Sequence, residues 1–324
     1  MWYSIQSIFF ERKIFYTLSE ECNMLMYKDV ELDSLPSLTK GYLKAAGQMI
    51  NKSLIVKHIG SVLPNLPVKR LILRNYQLSP EEVKKYTDNT QLANSKILPL
   101  TYLYSVAFPM VIKLLTEPDF PYTPVGLVHL YNTINRYKEV ATDAVVDIYV
   151  HTEKIREHRA GLLIDVVTEV YVGSELVWSQ VSTMLHKQKT SLSSMSREFS
   201  EPFDKSNITS QETIKATVDI IRKYASISGD RNPIHMSPIT AKIFGFPQII
   251  AHGSWMMARI LSSSEAQLPS SCTYNVQFGK PFLVPGSAGL FVTHNESNHW
   301  LYSLEKPDKK IIILSAQVKP LDKE

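Results

Sequence analysis

Four stretches in the middle of the chain constrain its fold most. Gly126 to Val140, Asp143 to Ile155, Ala160 to Val172 and Glu175 to Lys187 are rich in Val, Ile, Tyr and Thr, and several alternate apolar with polar residues. Successive side chains on a strand point to opposite faces, so this alternation predicts strands with one face buried. Gly173-Ser174 fits a tight hairpin turn between the last two. Before them, Thr101 to Thr116 is almost continuously apolar over helical length, which predicts a buried helix that Pro109 bends. Three prolines between Pro118 and Pro124 end it. A buried helix followed by antiparallel strands is an α+β unit.

The second half repeats this plot. A helix is expected over Gln211 to Ala225, with Thr209 or Ser210 as its cap and Glu212 in its first turn. An irregular loop follows, then a helix over about Ser254 to Ser263. Strands are expected near Thr273 to Val284, Ala288 to Asn295, Trp300 to Leu304 and Lys309 to Lys319. Upstream, Leu38 to Ile50 reads as a helix and Val68 to Leu78 as a strand. Ser79-Pro80-Glu81-Glu82 has the capping serine, first-turn proline and early acids of a helix start. The expected organisation is a leader over residues 1–36, poorly ordered, a first unit over 37–187, a polar, serine-rich linker over 188–210 and a second unit over 211–324. The halves share little residue identity, so the repeat is one of architecture.

Of the 324 residues, 44% are hydrophobic and 20% charged, enough apolar material for a sizeable core. The net charge of +4 falls well short of a nucleic-acid binder's basic stripe, so no nucleic-acid partner is expected. No uncharged apolar run reaches the roughly 18 residues that span a bilayer. Glu11, Arg12 and Lys13 interrupt the apolar N-terminus, which reads as a ragged leader and not a signal peptide. Cys22 and Cys272 are the only cysteines. They form no disulfide framework or cysteine-rich zinc site, and they suit a reducing compartment, so a cytoplasmic location is expected.

The chemistry concentrates in Ser228-Gly229-Asp230-Arg231-Asn232-Pro233-Ile234-His235. Gly229 permits backbone angles other residues avoid, and Asn232-Pro233 is a turn signal. The loop places a carboxylate and an imidazole about one turn apart, a pair able to position a water and pass protons at neutral pH. Downstream, Ala251-His252-Gly253 leads into an apolar helix. The N–H groups at that helix start have no intrahelical partner, and a substrate carbonyl can approach Gly253 closely because it has no side chain.

Tyr224 to His235 closely resembles the hydratase-2 motif of MaoC-like, (R)-specific enoyl-CoA hydratases. Ala241-Lys242-Ile243-Phe244-Gly245-Phe246, Ile250-Ala251-His252-Gly253 and Val276-Gln277-Phe278-Gly279-Lys280-Pro281 are similar to that family in order and spacing. Leu98-Pro99-Leu100-Thr101-Tyr102, Phe108-Pro109, Pro118-Asp119-Phe120-Pro121 and Gly126-Leu127-Val128-His129 resemble the non-catalytic half of double-hotdog hydroxyacyl-thioester dehydratases. The resemblance implies a double hotdog, each half a long helix wrapped by an antiparallel sheet, with chemistry in the second half alone.

It further implies that Asp230 and His235 are the catalytic dyad and that Gly253 donates to the thioester carbonyl. Ser228, Asn232 and His252 would orient the loop. The implied activity is reversible dehydration of (R)-3-hydroxyacyl thioesters in fatty-acid metabolism, with CoA or an acyl-carrier protein as the thioester carrier and no metal or redox cofactor. Either dyad member can be the base. The chain would act as a monomer that imitates a dimer, or as a homodimer. One departure stands out. A serine that some members use for substrate contact aligns with Leu261. Ser262 is adjacent but points about 100° away on a helix, and the common Met after His-Gly is Ser254. A hotdog thioesterase and a non-catalytic acyl-CoA-binding protein are the competing readings. His129, in a strand-like stretch, is expected to be structural.

Overall fold

The computed structural model of the chain describes residues 27–52, 63–124, 126–195, 208, 210–306 and 311–321. The first half holds β1 (Lys28–Leu32), α1 (Leu38–Lys52), β2 (Lys69–Gln77), α2 (Pro80–Thr90), α3 (Tyr102–Leu115), β3 (Val128–Arg136), β4 (Val145–His158), β5 (Gly161–Val172) and β6 (Glu175–Lys187). The second holds β7 (Ser210–Ala216), α4 (Val218–Ser228), α5 (Pro233–Met236), α6 (Pro238–Ile243), α7 (Gly253–Arg259), β8 (Cys272–Phe278), β9 (Gly286–His294), β10 (Trp300–Lys306) and β11 (Ile311–Pro320).

Every residue of α3 except Lys113 is buried, as a helix apolar all round must be. α2 begins as its sequence dictates: Ser79 Oγ accepts from the Glu82 N–H at 3.4 Å, with Pro80 in the first turn. β5 and β6 pair across the turn at Gly173, whose φ is +60°, with one register shift between Val170 and Tyr171.

The strands form one sheet in the order β1-β2-β4-β5-β6-β3-β8-β11-β10-β9-β7. Every neighbouring pair is antiparallel except β1 and β2. The halves meet where β3 pairs with β8, from Tyr131 opposite Gln277 to Arg136 opposite Cys272. Two cross-strand bonds tie this seam: Thr133 Oγ1 donates to Asn275 Oδ1 at 2.8 Å, and Thr273 Oγ1 to Asn135 Oδ1 at 2.9 Å. Among the described residues, no helix is long and apolar enough to cross a membrane.

Three expectations need correction. The helix read over Gln211 to Ala225 is a strand and a helix. β7 pairs with β9, and α4 starts only after Thr217, whose Oγ1 accepts from the Ile220 N–H at 3.2 Å. Burial shows why: Ile214 and Ala216 are buried while Lys215 between them is exposed, a period of two. Glu212 is no first-turn acid; it pairs with the buried Arg259 of α7. Second, the linker read over 188–210 ends inside β7; Thr209, the alternative cap, lies outside the described residues. Third, the leader read over 1–36 includes β1, whose register against β2 runs from Lys28 opposite Lys69 to Leu32 opposite Leu73. Residues 1–26 lie outside the described residues.

Candidate active site

α4 carries the chain into the motif loop and stops at Gly229, which takes φ +73° as its left-handed cap. Ser228 Oγ ties the turn at both ends, donating to the Tyr224 carbonyl at 2.9 Å and accepting from the Asp230 N–H at 3.2 Å. Asn232 caps the single turn of α5, its Oδ1 accepting from the Ile234 N–H at 3.4 Å, with Pro233 as first residue. The turn lifts His235 back toward Asp230. Ser228 and Asn232 thus hold the loop through bonds spanning only two to four residues.

Asp230 is half-buried, His235 is 7% exposed and His252 is fully buried. Their side-chain donor and acceptor atoms converge: one atom from each lies within 4.8 Å of one from either neighbour, and the two imidazole rings are 3.8 Å apart. Backbone carbonyls fix both tautomers. His235 Nδ1–H donates to the Ile250 carbonyl at 2.7 Å, which leaves Nε2 with a free lone pair. His252 Nε2–H donates to the Asp230 carbonyl at 2.8 Å. Its Nδ1 is buried without a partner among the described residues.

Asp230 Oδ1 accepts two hydrogen bonds, from the Asn232 N–H at 3.1 Å and from the Tyr42 hydroxyl of α1 at 2.8 Å. Burial pushes the Asp230 carboxyl up, but the two imidazoles, the Tyr42 hydroxyl and the Asn232 amide together hold it below the usual carboxylate value. Burial lowers His235 more than the Asp230 charge and the Ile250 carbonyl raise it. Burial, and then the neighbouring His235, push His252 down to about 3. At neutral pH the site holds a carboxylate beside two neutral imidazoles.

Gly253 opens α7 directly after His252. A Cβ there would lie 3.0 Å from Cε1 and 3.2 Å from Cζ of the Phe278 ring, so the missing side chain lets the Phe278 ring close over this backbone. The departure at Leu261 is structural as well as sequential. Leu261 is fully buried, and Ser262 Oγ accepts from Arg259 Nη1 at 2.5 Å. His129 sits beside Phe278 and Tyr104, its Nε2 accepting from Asn132 Nδ2 at 3.2 Å. Burial pushes it down to about 4, so it is a neutral, bonded ring.

Sequence reasoning brought together Asp230, His235, His252 and Gly253. It missed Tyr42, which lies 188 residues from Asp230 in a helix that no motif marks, and the Ile250 carbonyl, which carries no residue-type signal.

Residues 201–306 match the family model of the MaoC like domain. The 3-hydroxyacyl-thioester dehydratase X of Mycobacterium tuberculosis is 39% identical over 257 residues, 79% of this chain and 91% of its own length. A crystal structure of HtdX from Mycobacterium tuberculosis superposes with a TM-score of 0.69 at 36% identity, over 78% of this chain and 100% of that one. A MaoC-like dehydratase from Phytophthora capsici, 15% identical with a TM-score of 0.61 over 80% of this chain and 96% of its own, shares the fold. That fold is the double hotdog, here in α+β form with α3 and α7 set against the eleven-stranded sheet. The chain belongs to the MaoC-like dehydratases, a family of hydro-lyases.

Proposed function

We propose that the chain interconverts (R)-3-hydroxyacyl thioesters and trans-2-enoyl thioesters, carried on CoA or an acyl-carrier protein. The observation that carries this reading is the fixed tautomer of His235. Its Nδ1–H is held by the Ile250 carbonyl, so Nε2 keeps its lone pair, and a ring nitrogen of His235 lies within 4.8 Å of an Asp230 carboxylate oxygen. One water can touch both groups.

In hydration, one member of the pair takes a proton from that water as its oxygen bonds C3. The C2–C3 π pair moves toward the thioester as an enolate, and the pair returns a proton to C2, ending as it began. The Gly253 N–H is the donor we assign to the developing oxyanion; losing one such donor typically costs about 3 kcal/mol of barrier. Ser228, Asn232 and His252 hold the loop that aims the pair. The thioester acidifies the C2 proton by itself, so the reaction calls on no metal or redox cofactor. With Cys272 buried and unpaired, the chemistry suits the cytoplasm.

The test is Asp230→Asn with crotonyl-CoA. The variant should keep the wild-type melting temperature and lose hydration by about a thousandfold or more. Retained activity would overturn the reading, and release of free thiol without hydration would reassign the site to a thioesterase.

A further inference from the structure

We propose that Tyr42 is a positioning residue for Asp230: its hydroxyl pins Oδ1, so that Oδ2 is the oxygen that works beside His235. The inference rests on the reading of Asp230 and His235 as the proton-shuttling pair.

Three observations carry it. First, Oδ1 accepts from both the Tyr42 hydroxyl and the Asn232 N–H, at 2.8 and 3.1 Å. Among the described residues, no hydrogen bond to Oδ2 is found. Two donors on one oxygen oppose rotation of the carboxylate and leave the second oxygen's lone pairs for water or substrate. The Asn232 bond is internal to the loop and moves with it; the Tyr42 bond anchors Asp230 to the other half of the chain.

Second, α1 is seated so that this bond is precise. Leu38 and Tyr42 lie four residues apart, on one face of the helix. Leu38 covers Gly229, where a Cβ would lie 2.0 Å from Leu38 Cδ1. On the same helix Gly41 packs against α3, where a Cβ would lie 2.8 Å from Ile112 Cγ2. The helix therefore meets the motif loop through Leu38 and Tyr42 and packs on the central helix of the first half.

Third, Tyr42 remains a donor wherever the site works. Burial, and then the Asp230 charge, raise its phenol further above its ordinary value. A permanent donor stabilises the ionised carboxylate and lowers its basicity, keeping Asp230 charged on the acid side of neutrality.

The test compares crotonyl-CoA hydration by Tyr42→Phe and wild type from acid to alkaline pH. Tyr42→Phe should lower kcat about tenfold, leave KM within about twofold and move the acid limb of kcat up by about one pH unit, the loss of one charge-assisted hydrogen bond. The sign follows from the chemistry: without the donor the carboxylate protonates at higher pH, so activity that needs it ionised is lost sooner on acidification. A Tyr42 that served packing alone would change the melting temperature and leave the limb in place. An unchanged kcat and limb overturns the proposal. So does a faster variant with lower KM, which would make the hydroxyl an obstacle in the substrate's place. Should Tyr42→Phe not fold, 3-fluorotyrosine carried at position 42 keeps the shape and donates more strongly; the limb should then move down, and an unmoved limb overturns the proposal. The two readings fail separately. An active Asp230→Asn sinks the shuttle, whereas a wild-type profile in Tyr42→Phe beside an inactive Asp230→Asn sinks only the role of Tyr42.

Discussion

Leu38 occupies the space that a side chain on Gly229 would need, its Cδ1 standing 2.0 Å from the position of a Cβ there. The glycine of the motif loop therefore answers two demands. It takes φ +73°, and it admits α1 against the loop. The tip of a leucine can swing aside, which gives up part of the packing that seats α1, whereas the backbone angle cannot be relieved.

This separates two effects in Gly229→Ala. Stability should fall by about 1–2 kcal/mol, the cost of a left-handed alanine. Hydration of crotonyl-CoA should fall as well, because looser packing of Leu38 on the loop loosens the Tyr42 bond one turn along the same helix face. Adding Leu38→Ala should recover part of the activity and none of the backbone cost. Urea unfolding together with steady-state rates of the single and double variants checks this. Full recovery of stability in the double variant would mean that the clash, and not φ, was the cost.

Acid should destabilise the protein well before its carboxylates titrate. Burial pushes His129 down to about 4 and His252 to about 3, and it lowers His151 and His186 too. Unfolded, each histidine takes up a proton near 6.5. Between that pH and the folded values the unfolded state binds more protons, so stability falls as pH drops, by at most roughly 1.4 kcal/mol per pH unit for a ring that stays neutral when folded. Asp230 acts in the same sense lower down. Held below its ordinary value when folded, it adds stability that is lost as pH falls through the folded value. Urea midpoints at pH 7, 6 and 5 should decline steadily, and His129→Gln should flatten the decline. A midpoint constant over that range would contradict the neutral rings.

Installing the family's serine at position 261 should harm the protein. Leu261 is fully buried in the core around α7, so Leu261→Ser leaves a cavity and buries a hydroxyl. The expected loss is about 3 kcal/mol, with no fall in KM for crotonyl-CoA. Thermal melts and KM values decide it; a lower KM at unchanged stability would show that the position faces substrate.

The residues of the motif loop determined their own conformation because each bond there spans a few positions. Ser228 reaches Tyr224 and Asp230, Asn232 reaches Ile234, and Gly229 supplies the angle that ends α4. The capping serine of α2 and the turn between β5 and β6 were legible for the same reason. Residues 211–216 were not. Their polar side chains and Glu212 fit a helix start, and only the edge of β9 waiting beside them makes a strand the better use of their backbone groups. The tertiary structure alone brought α1 to Asp230, the Ile250 carbonyl to His235 and Arg259 to Glu212. Bonds within a turn are written in residue spacing. Contacts 188 or 47 residues apart depend on how packed elements dock, and no single segment of the sequence carries that information.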